Sequence, residues 1–269
     1  MLATAFTRTT NVNRAAALAT IGIPVEIDQT IDQRTGKGWK TILVANESTD
    51  VLASLVRPAN GAAAHAPKHH TRLILGLLER GDLGAADPHH PLLDMLGACA
   101  NREALLLWLK TGTAHRVARI QGTRRTALIP GDEPESIKNA PAFRTRDLKL
   151  AAALTRLGCP ICKIEPSSQP GIDHFYFPVA GYMLDEPAVV TADLVNAYRD
   201  GRLPQDSPEH PLLWMMQCLI NREALLEFMF KQKPTVLIRA PGTGRASLVH
   251  QNATAACLEK VRQRLGISF

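Results

Sequence analysis

The chain has 269 residues, with 31 Lys and Arg against 25 Asp and Glu, a formal net charge of +6 and 45% hydrophobic residues. Those proportions exclude a disordered or low-complexity chain and leave room for two domains with their own cores. No apolar run reaches the roughly 18–20 residues of a membrane-spanning helix, and the moderate basic bias suits nucleic acid without being specific for it.

Residues 1–25 contain no acid and many Thr and Ala, as an organelle transit peptide would. A later stretch argues otherwise. Phe6, Ala15-Ala16-Ala17-Leu18 and Gly22-Ile23-Pro24 align with Phe143, Ala151-Ala152-Ala153-Leu154 and Gly158-Cys159-Pro160. The opening segment is therefore expected to be the first helix of a folded lobe, in a cytoplasmic protein. Strands follow over 25–27 and 39–44, joined by a turn at 36–38. A loop insert at 57–70, rich in Ala, Pro and His, precedes a short helix over 73–79 that Gly81 ends. A long helix over 87–110 is expected next, with Asp87 as its N-cap and Pro88 at the first helical position. Strands over 115–120 and 126–129 flank a Gly122-Thr123 turn. An acidic, proline-marked linker follows Pro130 and occupies 131–141.

The same order then returns. Thr145 is expected to cap a helix to Leu157, with Leu150, Leu154 and Leu157 on one stripe and Gly158 ending it. Strands are expected over 160–164 and 174–177, then a short helix over 193–199 that Gly201 ends. Ser207-Pro208 opens a second long helix over 207–230. Strands over 235–239 and 246–249 and a terminal helix over 252–265, with Arg262 and Arg264 near its end, complete the chain.

The two halves share more than their order. His90-Pro91-Leu92-Leu93 recurs as His210-Pro211-Leu212-Leu213, and Asn101-Arg102-Glu103-Ala104-Leu105-Leu106 recurs as Asn221-Arg222-Glu223-Ala224-Leu225-Leu226. Arg119, Gly122-Thr123 and Arg125 match Arg239, Gly242-Thr243 and Arg245 in the same register. The expected fold is α+β: two tandem homologous lobes in a pseudo-twofold relation, each a small, mostly antiparallel sheet with helices on one face. Lobe one would span 1–130, lobe two 142–250, and a C-terminal helical segment 251–269.

Phe143, Thr145, Asp147-Leu148, Leu150-Ala151-Ala152 and Leu154, with the aromatic run Phe175-Tyr176-Phe177, carry a resemblance. This stretch, 143–177, resembles the opening of small uncharacterised domains of bacterial and phage-associated proteins. The resemblance implies a phage or mobile-element setting and brings no functional residue with it. Lobe one departs from the pattern, with Asn11 opposite Asp147 and Arg14 opposite Leu150.

Candidate chemistry rests on the arginines of the closing hairpins. Arg119, Arg124 and Arg125, with Arg239 and Arg245, would grip backbone phosphates at two steps of one nucleic acid, because the guanidinium fork fits phosphate. The competing reading is that they merely protect strand edges. Arg102-Glu103 and Arg222-Glu223, in mid-helix among leucines, read as structural ion-pairing groups, and His90 and His210 as helix-start architecture. Alternation sends Phe175 and Phe177 to one face and Tyr176 to the other; base stacking is one use of such an aromatic face, and core packing is the default for two phenylalanines at i, i+2.

The remaining motifs point away from catalysis and metals. Cys159-Pro160-Ile161-Cys162 has no second ligand pair and sits between a helix and a strand, unlike a redox motif. With Cys99, Cys218 and Cys257 the thiols number five, an odd count that reads as reduced cysteines. His65, His69, His70, His89 and His90 lack acidic companions other than Asp87, and Gly242-Thr243-Gly244-Arg245 lacks the ending of a phosphate loop. No nucleophile–base pattern and no cofactor motif stands out. The expected function is thus non-enzymatic binding of DNA or RNA, mainly through the backbone. The alternative is a protein-interaction or self-association module built on the paired long helices, with Trp108, Trp214 or Phe228 as exposed anchors.

Overall fold

The computed structural model describes residues 6–31, 38–46, 70–83, 90–121, 125–166, 173–179, 191–207, 210–240 and 243–267. The 57–70 insert apart from His70, the turn at 36–37, Asp87-Pro88 and His89 lie outside them. The first half of the chain forms β1 (Phe6–Thr9), α1 (Val12–Thr20), β2 (Val25–Ile31), β3 (Gly38–Ala45), α2 (His70–Arg80), α3 (Pro91–Thr111), β4 (His115–Arg119) and β5 (Thr126–Pro130). A one-turn helix, α4 (Glu135–Lys138), lies in the linker. The second half forms β6 (Ala142–Thr145), α5 (Leu148–Arg156), β7 (Lys163–Pro166), β8 (Asp173–Pro178), α6 (Thr191–Arg199), α7 (Leu203–Asp206), α8 (Pro211–Lys231), β9 (Thr235–Arg239), β10 (Ala246–His250) and α9 (Ala255–Leu265). The fold is α+β, and its sheets are small and antiparallel.

Two compact units emerge: Met1–Leu93 together with Gln217–Phe269, and Asp94–Met216. They are not the consecutive stretches 1–130 and 142–250. The first unit joins the β1–β3 sheet and α1 to most of α8, the β9–β10 hairpin and α9. The second joins most of α3 and the β4–β5 hairpin to the β6–β8 sheet and α5. Each closing helix and hairpin therefore packs on the opening sheet and helix of the other half of the chain.

Within the first unit, β3 is the central strand of β1-β3-β2, and β8 holds that place in β6-β8-β7 of the second. Each expected two-stranded sheet thus gains an unforeseen edge strand, β1 or β6. These strands are only four residues long and carry too little alternation to read from sequence. Asn11 and Asp147 cap α1 and α5: Asn11 Oδ1 accepts from Arg14 N–H at 3.0 Å, and Asp147 Oδ1 from Lys149 N–H at 2.9 Å. The capping role expected of Thr145 thus belongs to Asp147, while Thr145 Oγ1 accepts from Asp147 N–H at 3.1 Å. Gly22 and Gly158 end these helices with φ of 89° and 95°, a left-handed conformation that glycine adopts without a Cβ penalty.

The long helices start later than expected, at Pro91 and Pro211. Their caps are histidines. His90 Nδ1 accepts from Leu92 N–H and His210 Nδ1 from Leu212 N–H, each at 3.1 Å. Ser207 instead closes α7, its N–H donating to Leu203 O at 2.8 Å. Within the sheets, Ile42 and Val44 of β3 and Phe175 and Phe177 of β8 are buried. The small residues Ala15–Ala17 and Ala151–Ala153 are buried too, and they allow close approach of α1 to β10 and of α5 to β5.

A buried asparagine closes each of these contacts. In the second unit Asn101 Oδ1 accepts from Leu128 N–H on β5 at 3.0 Å, and its Nδ2 donates to Thr155 Oγ1 on α5 at 3.0 Å. In the first, Asn221 Oδ1 accepts from Leu248 N–H on β10 at 2.8 Å, while Nδ2 donates to Thr20 Oγ1 on α1 at 2.9 Å and to Ala246 O at 3.0 Å. The polar neighbours of this clamp differ between units. In the second, Arg156 donates from Nη1 to Thr126 O at 2.9 Å and its Nε lies 3.6 Å from Asp94 Oδ1. Burial pulls the Arg156 pKa down to about 10, against the opposing pull of the Asp94 carboxylate. In the first, neutral Gln217 spans the corresponding space, with Nε2 3.0 Å from Ser247 Oγ.

Two stability outcomes follow. Asn221→Ala leaves buried donors and acceptors without partners, at about 1–3 kcal/mol for such a group, so urea unfolding should show a lower midpoint; Asn101→Ala should do the same for the second unit. Gly97→Ala places a methyl group on the Arg156 guanidinium, and overpacking of that kind costs about 1–3 kcal/mol, read as a loss of thermal stability that a Gly97→Ala/Arg156→Ala pair partly restores.

Candidate nucleic-acid interface

The hairpin arginines part company. Arg119 is exposed at the end of β4, and Arg124 lies outside the described residues. Arg125 is only 7% exposed, and its guanidinium is ion-paired with Asp94, with Nη2 3.4 Å from Oδ2. Arg239 is exposed, yet its Nε donates to Gly22 O at 3.0 Å. Arg245 is 1% exposed and donates from Nη2 to Leu265 O on α9 at 3.2 Å. Of the five arginines expected to grip phosphate, Arg125 and Arg245 are thus buried and do not present their charge to a phosphate backbone. Both lie where the second strand of a hairpin begins and turn into their own unit, where a carboxylate or a carbonyl takes the place of water around the charge.

The helix motif has a structural role. Arg222 Nε donates to Asn13 Oδ1 at 2.6 Å, joining α8 to α1. Arg102 is half-buried, Glu103 exposed and Glu223 half-buried. The asparagine that precedes them, Asn101 or Asn221, is the group that sequence reasoning passed over. The signal was present: an Asn at matching places on two otherwise apolar helix faces is a polar group that needs partners.

The outer face of β6-β8-β7 assembles what the hairpins do not. Cross-strand register sets Arg144 opposite Tyr176 and Tyr176 opposite Lys163, so one row crosses all three strands as cation, aromatic, cation. Arg144 and Lys163 are exposed and Tyr176 is half-buried. Alternation puts His174 on the same face, and Arg146, in the turn after β6, reaches it: Arg146 Nε donates to His174 Nε2 at 2.7 Å. Glu165 pairs with His174 across the strands and accepts from Lys163 Nζ and Tyr176 Oη, each at 2.6 Å. Lys163 Nζ stands 4.6 Å from the tyrosine ring centroid. Arg144 and Lys163 thus flank one aromatic ring, with Arg146 at the neighbouring His174 and the Glu165 carboxylate bonded to both the lysine and the tyrosine.

Electrostatics follow from those contacts. Lys163, then Tyr176, hold the Glu165 carboxyl below its ordinary range, and Glu165 holds Lys163 above its own. Burial, then the Arg146 and Arg144 charges, push the His174 pKa down from its ordinary value. In the first unit the matching outer row is Arg8, Leu43, Glu26, and Arg8 lies 3.7 Å from Asp28. The cation–aromatic row is not repeated there.

A further ionic cluster lies at the edge of the β9–β10 hairpin. Glu227 accepts from Lys231 Nζ at 2.9 Å and its Oε2 lies 2.7 Å from His250 Nε2. Lys231, then His250, draw the Glu227 pKa down to about 2. Cys99, Cys159, Cys162 and Cys218 are buried and Cys257 is exposed, with none of the five in a disulfide; burial raises the pKa of Cys162. Among the described residues no group of three or more His, Cys, Asp or Glu side chains is placed to hold a metal ion. Nor is any helix among them long and apolar enough to cross a membrane.

No protein-family model, curated protein or solved structure matches this chain.

The His174 environment sets a pH dependence. The folded state binds a proton at His174 more weakly than the unfolded chain, whose histidine titrates near 6.5. The contribution of this site to stability is then complete above about pH 6.5 and is lost as the pH falls below it. Unfolding free energies measured from pH 7.5 to 5 should fall more steeply for the native chain than for His174→Gln; equal slopes would remove His174 as the cause.

Proposed function

We propose that this chain is a non-enzymatic nucleic-acid-binding protein built from two tandem copies of one α+β unit. Support for the duplication comes from the recurring His-Pro-Leu-Leu and Asn-Arg-Glu-Ala-Leu-Leu segments, and from His90 with His210 and Asn101 with Asn221 making the same bonds. The observation that carries the binding reading is the Arg144–Tyr176–Lys163 row across an exposed sheet face. A tyrosine ring offers a stacking surface for any base, and flanking cations suit the charged backbone on either side of it. Arg146, bonded to His174 on the same face, adds to its positive charge. Contacts of this type are mainly to the backbone and favour an unpaired strand, whose bases are free to stack. The phage or mobile-element setting belongs to the same proposal and rests on the resemblance of 143–177; the cytoplasmic setting rests on reading residues 1–25 as the start of a folded lobe.

A second reading is favoured by exposed apolar side chains on the long helices. Leu107 on α3 is 51% exposed and Phe230 on α8 is 78% exposed. Apolar side chains of this kind anchor protein partners. The anchors expected from sequence are not among them: Trp214 is 5% exposed, and Trp108 and Phe228 are half-buried.

Fluorescence anisotropy with labelled single- and double-stranded DNA and RNA over a salt series tests the first reading. Arg144→Ala and Lys163→Ala should each weaken binding and lower the salt slope by roughly 0.7–0.9 for each phosphate that is no longer neutralised. Tyr176→Ala should weaken binding by about 1–3 kcal/mol while Tyr176→Phe retains most of it. Arg125→Ala and Arg245→Ala should lower stability and leave the salt slope unchanged. Absence of binding at low salt, or binding indifferent to the sheet-face substitutions, would overturn the reading; self-association abolished by Leu107→Lys or Phe230→Lys would favour the second.

A further inference from the structure

We infer that the two halves of this chain are each other's docking partners, so that neither half holds a complete core: the protein is a reciprocally exchanged pair joined through its linker. The composition of each compact unit points there. The unit Met1–Leu93 with Gln217–Phe269 draws its opening sheet from one half and its closing hairpin from the other, and Asp94–Met216 does the reverse. The buried bonds run the same way. In the first unit Asn221 on α8 reaches Thr20 on α1, Arg222 reaches Asn13, and Arg239 reaches Gly22. In the second, Asn101 on α3 reaches Thr155 on α5, and Arg156 reaches Thr126 on β5.

The linker is the covalent connection between the halves, yet two cores depend on both of them. Leu18 and Ala19 of α1, buried completely, lie within a unit completed by residues beyond 216. Leu150 and Ala152 of α5 lie in a unit completed by residues before 131. A half separated from the other would expose both α1 and the inner face of the β4–β5 hairpin, or both α5 and that of β9–β10. The partner that fits such a surface is the opposite half of this chain. None of this depends on nucleic-acid binding.

The test uses the full chain with a protease site inserted after the exposed Asn139, between α4 and β6, and a different affinity tag at each end. After cleavage the two pieces should co-elute in size exclusion at the position of the uncut protein, and a pull-down on either tag should recover both in a 1:1 ratio. Asn101→Ala with Asn221→Ala in the cut protein should weaken the pairing about tenfold or more, the equivalent of losing buried hydrogen bonds. Pieces that separate under native conditions, or a pairing untouched by the two substitutions, would overturn the inference. An insertion beside the exposed Asp132 gives the same contrast should the first site disturb folding, and the unfolding midpoint of each uncut variant shows whether it does.

Discussion

The structure depends on one constraint: a primary amide buried in the middle of a long helix must find partners. Asn101 and Asn221 sit where the surrounding helix face is apolar, and a buried amide without hydrogen bonds costs more than it contributes. Each satisfies itself by accepting from a hairpin strand and donating to a threonine on a helix from the opposite half. Three elements are fixed by one side chain. The alanines of α1 and α5 let the helices come close enough for that reach, so small-residue packing and the amide clamp act together.

The differences between the units are as instructive as their likeness. Around Asn101 the space is filled by Arg156, Arg125 and Asp94, with Gly97 leaving room for a guanidinium. Around Asn221 it is filled by Gln217 and Ser247, and Arg245 turns instead to the C-terminal helix. A buried ionic group and a neutral amide network solve the same problem, one at the expense of desolvating charge and the other without it. The same divergence appears on the outer sheet faces, where only the second unit sets cations around an aromatic ring in a row across the strands. Both units share the clamp, and one of them carries the cation–aromatic face.

The amino-acid sequence determined a good deal by itself. Periodicity and punctuation placed the long helices, the closing hairpins and the helix-ending glycines Gly22 and Gly158, because these signals are local. Alternation along β8 correctly sent Tyr176 away from Phe175 and Phe177. The histidines before Pro91 and Pro211 read as helix-start groups and cap the helices. Beyond local reach the signals gave out in defined ways. The edge strands β1 and β6 escape sequence patterning because four residues carry no usable period, and Arg125 and Arg245 read as surface groups because charge in a hairpin looks the same whether it meets solvent, a carboxylate or a carbonyl.

Which half completes which core was decided by tertiary structure alone. Both halves carry the same clamp residues and the same alanine-rich helices, so an interface within one half and an interface between halves have nearly identical sequence signatures. Local patterns specify the shape of an interface, not the chain segment that supplies it; that choice falls to the packing of α1 on β10 and α5 on β5, and to register that places Leu248 and Leu128 under the two asparagines. The row of Arg144, Tyr176 and Lys163 is likewise a product of pairing three strands that are separate in sequence. Residues identify the chemistry available, and cross-strand register brings it to one place.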